Sequence, residues 1–176
     1  MSKQSVLTRC NQARYKAHRV AEQNLMARID VDFRISDFSR STDRLWREQW
    51  QPVNIRQPPN GGWDWVASRE LHRNDPSVFG AAILIGERLC GLALATVSNA
   101  AVRVNLLEGD PSPDCALKGD VLRIILEASA YYAQLLGRDE LHVLDPVESL
   151  IATYTDVFKF TLVTPWKGAP YLRRRV

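Results

Sequence analysis

Few residues in this chain have the types and positions to carry chemistry. Glu108 closes an apolar stretch and opens a loop, where a carboxylate can act as general base directly or through a water. His142 is a base by its chemistry. It alternates with Leu141 and Val143, however, which describes a histidine on a sheet face with a hydrogen-bond partner. His18 and His72 fall on segments that read as surface helices. Cys115 precedes a long helix whose N-terminus could activate a thiolate. A covalent acyl-cysteine route also needs an adjacent base, and no local residue supplies one. Cys90 lies inside an apolar run and reads as core. Trp63 and Trp65 follow a Pro/Gly-rich loop and either wall a pocket or cap the core. The three cysteines are odd in number and far apart, and their spacing fits neither a disulfide framework nor a zinc site.

The elements that must position these residues can be read from periodicity. Residues 5–28 predict a helix, with Leu7, Cys10, Ala13, Ala17, Val20, Ala21 and Leu25 recurring at three- and four-residue steps. That stripe is rich in alanine and ringed by Arg and Lys, so the helix must pack on its own domain or on a second copy in a homodimer. Val31 to Ile35 alternates as a short strand. Ser41-Thr42-Asp43 predicts an N-cap before a helix through Trp46 and Trp50. Residues 52–62 read as a loop and resemble a hinge or lid. A helix to about Arg73 follows. Gly80–Ile85 and Leu89–Val97 predict a hairpin of buried strands, and Ala101–Glu108 a third strand. A loop over 109–116 leads into a helix from Lys118 to Leu136, with Gly137 as its C-cap glycine. Leu141–Leu144 (strand), Ser149–Val157 (helix) and Phe158–Val163 (strand) complete the order. A strand, a long crossover helix and another strand imply a right-handed parallel pair inside a mixed α/β sheet.

That order is similar to the GNAT (GCN5-related N-acetyltransferase) fold over residues 31–165. The hairpin from Ala81 to Ala93 resembles the family's substrate-strand meander. Leu126 to Gly137 resembles its central helix, and Leu141-His142-Val143 with Tyr154 to Phe160 resembles its fifth strand and following segment. The fold expected is therefore a mixed β-sheet with a central splayed parallel strand pair, helices on both faces and an added N-terminal basic helix.

The resemblance implies an acyltransferase that moves an acetyl group from acetyl-CoA, or another acyl-CoA, to an amine acceptor, with no metal. It places the splayed strand, with its exposed backbone donors, at Leu106, Leu107 and Glu108. Glu108 would be a base there, and Tyr154 a catalytic acid for the departing thiolate. The helix-start signature of the family, Gln/Arg-x-x-Gly-x-Gly/Ala, receives the CoA pyrophosphate. The matching stretch here is Leu117-Lys118-Gly119-Asp120-Val121-Leu122, with one glycine, shifted by one position. Lys118, Gly119, Asp120 and Val121 are the expected cofactor-binding residues. Asp120 as an N-cap would compete with a phosphate that Lys118 could attract. Trp63 and Trp65 are the expected acceptor-binding residues.

Composition limits the rest. The 176 residues are 45% hydrophobic and 24% charged, enough for one domain with its own core. No apolar run approaches the ~20 residues of a membrane span, and no secretory h-region opens the chain. With the cysteine usage this predicts a cytoplasmic protein without a membrane partner. The net charge of +3 is unevenly spread. Residues 1–29 hold six basic residues and Glu22, and residues 167–176 hold Lys167, Arg173, Arg174 and Arg175. The chain therefore divides into a basic N-terminal helix (1–29), a GNAT-like domain (30–166) and a basic C-terminal tail (167–176). The basic ends admit a nucleic-acid or acidic partner. The single, shifted glycine at the helix start supports an alternative, a catalytically inactive GNAT-like domain that binds a protein or nucleic-acid partner.

Overall fold

In a computed structural model, which describes residues 3–176, the chain forms one seven-stranded sheet of order β1-β2-β3-β4-β5-β7-β6. The strands are β1 (Arg34–Ser36), β2 (Phe79–Ile85), β3 (Arg88–Val97), β4 (Ala101–Gly109), β5 (Glu140–Leu144), β6 (Thr161–Val163) and β7 (Tyr171–Arg175). All pairs are antiparallel except β4–β5. The helices are α1 (Lys3–Met26), α2 (Arg40–Leu45), α3 (Trp65–Leu71) and α4 (Val121–Leu135). α2 runs on into a wider helical turn over Trp46–Trp50. A similar turn covers Thr153–Val157 after a 3₁₀ turn at Glu148–Leu150.

Alternation along the strands divides the core in two. Ala81, Ile83, Ala93, Ala95, Val102 and Val104 face α1 and α4 in one apolar cluster. Ala82, Leu84, Leu92 and Leu94 face Trp46, Trp50 and Trp65 in the other. β4 carries an extra residue at Asn105, because Leu94 pairs with Leu106 but Ala95 with Val104. The Asn105 side chain fills the irregularity by accepting from Thr96 N–H (3.0 Å) and Thr96 Oγ1 (2.9 Å).

α1 belongs to this domain. Ala17, Ala21 and Leu25 are fully buried in the α4-side cluster, and the small alanines let the two helices approach closely. Buried Glu22 accepts from the β1 backbone at Ile35 N–H (2.6 Å) and from Arg19 (2.6 Å). His18, read from sequence as a surface residue, is only 3% exposed. It lies edge-on to Phe79, with Nε2 sealed and unbonded. The surface reading failed because it weighed the Arg/Lys ring around α1 above its alanine stripe.

The C-terminal segment is likewise no free tail. Tyr171–Arg175 enters the sheet between β5 and β6, with Leu172 wholly buried. Other differences are local. α2 starts at Arg40 behind Ser39, whose N–H donates to Thr42 Oγ1 (3.3 Å). β1 begins at Arg34 and β6 at Thr161, while α4 begins at Val121 because Cys115 to Asp120 forms turns instead. α4 then fits against the sheet through glycine: a Cβ on Gly91 would lie 2.7 Å from Val121 Cγ1 and 2.9 Å from Ile83 Cδ1. No helix among the described residues is long and apolar enough to cross a membrane.

Candidate active site

The parallel pairing of β4 with β5 stops at Val104–Val143, yet β4 continues to Gly109 and β5 ends at Leu144. From Asn105 onward β4 pairs with β3 alone. Its other edge therefore opens a gap between two strands that were joined lower down, and backbone groups on that edge lack a strand partner. Leu106, Leu107 and Glu108 all lie on this segment. The bulge resets their faces: Leu107 packs with the α4-side cluster and Leu106 with the tryptophan cluster. The unpaired strand thus separates two environments.

On the α4 side stands the helix start. Asp110, Ser112 and Asp114 shape the loop leading to it. Arg88 at the head of β3 holds this loop through Asp110 (2.9 Å) and Asp114 (2.8 Å). Ser112 N–H closes a turn on Asp110 Oδ1 (2.8 Å). The Arg88 guanidinium holds the Asp114 carboxyl below its usual range. Lys118 N–H then donates to Cys115 O (3.0 Å), Asp120 N–H to Leu117 O (2.9 Å) and Val121 N–H to Leu117 O (3.3 Å). The Asp120 side chain caps nothing. Among the described residues the N–H groups of Gly119, Leu122 and Arg123 have no acceptor. The open donors are therefore displaced from the set expected from sequence. Gly119, at φ +96°, has no heavy atom within 4 Å of where a Cβ would sit, so the space over it is clear. Free N–H groups, a helix N-terminus and exposed Lys118 beside it fit an anion such as a pyrophosphate.

Tyr154 is in the same α4-side cluster, 4% exposed, edge-on to Phe160 at 5.8 Å. Burial pushes its phenol up to about 12. No hydrogen bond reaches its hydroxyl among the described residues.

On the tryptophan side stands Glu108, 2% exposed. Its Oε1 accepts from Asn54 Nδ2 (2.7 Å) and Gly62 N–H (2.8 Å) and is ion-paired with the Arg56 guanidinium (3.0 Å). Its Oε2 accepts from the Trp65 indole N–H (2.8 Å). Three neutral donors and a cation thus surround one carboxylate, all from the loop and helix start at 54–65. Arg56 also donates to Gly109 O (2.7 Å). Two glycines let the loop close. At Gly62, φ +75°, a Cβ would lie 2.1 Å from Arg56 O, and at Gly61 one would lie 2.7 Å from Glu108 Oε1. The segment read from sequence as a hinge or lid is fastened to β4. Trp65 is fully buried and anchors the core. Trp63 is half-buried and, with Trp46, Asn54, Arg56 and Asp64, lines a pocket of about 200 Å³. The two tryptophans thus take different roles. Asn54, Arg56 and Gly62 were not singled out from sequence; each is 46 to 54 residues from Glu108, beyond any local pattern.

His142 lies apart from these groups, on the lower, paired part of β5. It bonds Glu140 Oε2 (2.8 Å) and stacks on Tyr171 at 4.9 Å. Cys90 and Cys115 are both buried thiols in contact, and burial pushes Cys90 up to about 12, leaving it unreactive. No group of three His, Cys, Asp or Glu with metal-holding geometry occurs among the described residues.

No family model matches the sequence, and no curated protein matches it. Solved structures do match. Ard1 from Thermoplasma volcanium shares 13% identity at a TM-score of 0.60, over 83% of this chain and 99% of that one. An acetyltransferase from Thermus thermophilus shares 14% at 0.60, over 83% and 98%. The PaiA N-acetyltransferase from Thermoplasma acidophilum, solved in complex with coenzyme A, shares 11% at 0.50, over 83% and 100%. With the splayed β4–β5 pair and helices on both faces, these likenesses show that the chain has the fold of the GNAT acetyltransferases.

Proposed function

We propose that this chain is an acyl-CoA-dependent N-acyltransferase acting by direct transfer to an amine. The observation that carries the reading is the unpaired edge of β4 from Asn105 to Gly109, beside the free N–H groups of Gly119, Leu122 and Arg123. An acyl-CoA, acetyl-CoA in the simplest case, supplies the activated thioester when bound. Gly119, Leu122 and Arg123 N–H would receive its pyrophosphate, with Lys118 as a nearby charge. The free backbone of Leu106, Leu107 and Glu108 would hold the arm and acyl carbonyl by strand-like bonds. The acceptor amine would arrive from the tryptophan side, beside Trp63. Positioning across one strand can supply much of the acceleration such a reaction needs.

Tyr154 serves as a hydrogen-bond donor to the departing sulfur. At about 12 its phenol lies well above an ordinary thiol near 8.5, so net proton transfer to a thiolate is uphill by roughly 5 kcal/mol. A donated hydrogen bond has no such cost. Glu108 serves as the residue that holds the acceptor-side loop, because both of its oxygens are already occupied. The amine's proton then leaves to water or to the acceptor's own groups.

The same occupied carboxylate favours a second reading, a GNAT-like domain that binds a partner without catalysis. Isothermal titration with acetyl-CoA separates the two. Micromolar binding that is lost in Gly119→Asp and kept in Gly119→Ala supports the transferase; the alanine variant controls for the positive φ. No heat at millimolar acetyl-CoA turns the assignment to the binding module.

A further inference from the structure

A groove of about 490 Å³ runs along the outer face of α4, away from the acceptor-side pocket. Its walls carry Arg123, Lys159 and Arg174, with Arg175, the next residue on β7, at the rim, against the single carboxylate side chain of Glu127. None of the four cations lies within 4.0 Å of a carboxylate among the described residues, whereas the half-buried Arg14, Arg56, Arg69 and Arg88 elsewhere are ion-paired and, of the half-buried arginines outside the groove, Arg138 alone among the described residues is not. Two of the guanidiniums are held in place by aromatic faces. Arg123 lies 5.5 Å over Phe158, and Arg174 lies 4.8 Å over Phe160 and donates to Phe158 O (3.0 Å). Partial burial lowers the proton affinity of Arg174, with Glu127 opposing that shift. Its remaining N–H groups are unused. Arg123 and Arg174, half-buried, fixed and without a carboxylate partner, are a cost to the fold unless an anion meets them.

The groove's dimensions restrict that anion. From Arg123 to Gln134 it follows eleven residues of α4, about 16 Å at the helical rise. That exceeds what one phosphate or carboxylate can fill. The half-buried ring of Tyr131 lines the same groove and offers a face for stacking, beside Phe158, whose face Arg123 covers. A cationic track with interleaved aromatics is how proteins hold single-stranded nucleic acid. We propose that this groove binds the sugar–phosphate backbone of a single-stranded nucleic acid, with Arg123, Lys159 and Arg174 meeting successive phosphates and Arg175 meeting the strand at the rim. The strand β7 thus turns the basic C-terminal segment into one wall of a binding surface. This goes beyond the transferase reading and does not depend on it.

The test is fluorescence anisotropy with a labelled single-stranded RNA of about twelve nucleotides, within the usual site size. Two to four neutralised phosphates predict a slope of log K against log salt between about −1.4 and −2.8. Lys159→Glu with Arg175→Glu, both exposed, should weaken binding at least about tenfold and flatten the slope. Arg40→Glu with Arg47→Glu, an equal charge change on α2 and its continuing turn, should do neither. Equal loss in that control overturns the proposal, as does an absence of binding by the natural chain at low salt. Displacement by poly-glutamate of matched charge also overturns it, since an acidic protein would then be the partner. So does displacement by CoA but not by 3′-dephospho-CoA, which would give the groove to the nucleotide end of the co-substrate. Acetyl-CoA titration of the same variants reports separately on the transferase site.

Discussion

The indole N–H of Trp65 donates to Glu108 Oε2 at 2.8 Å, and both groups are buried. This bond joins the start of α3 to the unpaired end of β4. It makes the acceptor-side wall an extension of the sheet. Removing the carboxylate leaves three neutral donors without their acceptor and takes the counter-ion from the half-buried Arg56 guanidinium. Glu108→Ala should therefore cost about 3 kcal/mol or more in denaturant unfolding. Trp65→Phe, which leaves only Oε2 unpaired, should cost less from the hydrogen bond, about 1–3 kcal/mol. Proteolytic nicking between residues 51 and 64 should rise in Glu108→Ala before global unfolding.

If Glu108 holds the loop and does not touch the co-substrate side, acetyl-CoA affinity should survive its replacement. Glu108→Gln keeps the shape of the side chain but presents an amide donor to existing donors. We expect acetyl-CoA binding within about twofold of the natural chain in a folded Glu108→Gln preparation, with any acceptor-dependent turnover sharply reduced. Loss of acetyl-CoA binding comparable to that of Gly119→Asp would show that the two faces of β4 are not independent.

The parts legible in the sequence and the parts hidden from it divide along a physical line. β2, β3, β4 and α4 were readable because each is a long apolar run whose period its own residues declare. The splay followed from the crossover order and the resemblance. β7 was hidden because Tyr-Leu-Arg-Arg-Arg presents as a charge cluster. Only one position, Leu172, is fully buried, and the alternation that puts Arg174 inward and Arg173 outward is invisible among identical side chains. The Glu108 anchorage was hidden for a different reason. Its partners are separated by tens of residues and belong to a loop whose composition says only that it turns. A solvated carboxylate at a strand end and a buried one with four partners have the same local sequence.

The packing of α4 on glycine gives a third expectation. Gly91→Ala would set a methyl group 2.7 Å from Val121 Cγ1 and 2.9 Å from Ile83 Cδ1, both branched and buried. Ile83 can turn its terminal methyl, but Val121, branched at Cβ, cannot clear both of its methyls without moving α4. Overpacking of this kind costs typically about 1–3 kcal/mol. Because Val121 opens α4, the displacement also reaches the N–H groups of Leu122 and Arg123. The variant should lose stability in thermal melts and lose acetyl-CoA affinity together, while the enlarging change Gly86→Ala, with open space at its Cβ, should leave that affinity unchanged.

His18 makes stability depend on mild acid. Burial pushes its imidazole down to about 4; Asp37 pulls it up and Arg14 pushes it further down, but desolvation prevails. The folded chain therefore keeps this residue neutral where the unfolded chain, near 6.5, would bind a proton. Stability from this group is whole above pH 6.5 and drains as pH falls from about 6.5 toward 4, because the unfolded state gains protons the native state refuses. The difference of about 2.5 pH units corresponds to roughly 3 kcal/mol at the bottom of that window. His18→Gln, which cannot be protonated, should be less stable than the natural chain at pH 7.5, where the fit of the ring against Phe79 is lost. The gap between the two should narrow steadily to pH 4. A gap that stays constant across that range in paired thermal melts would mean that the imidazole is already accessible to protons in the folded chain, and that α1 does not seal it as the structure requires.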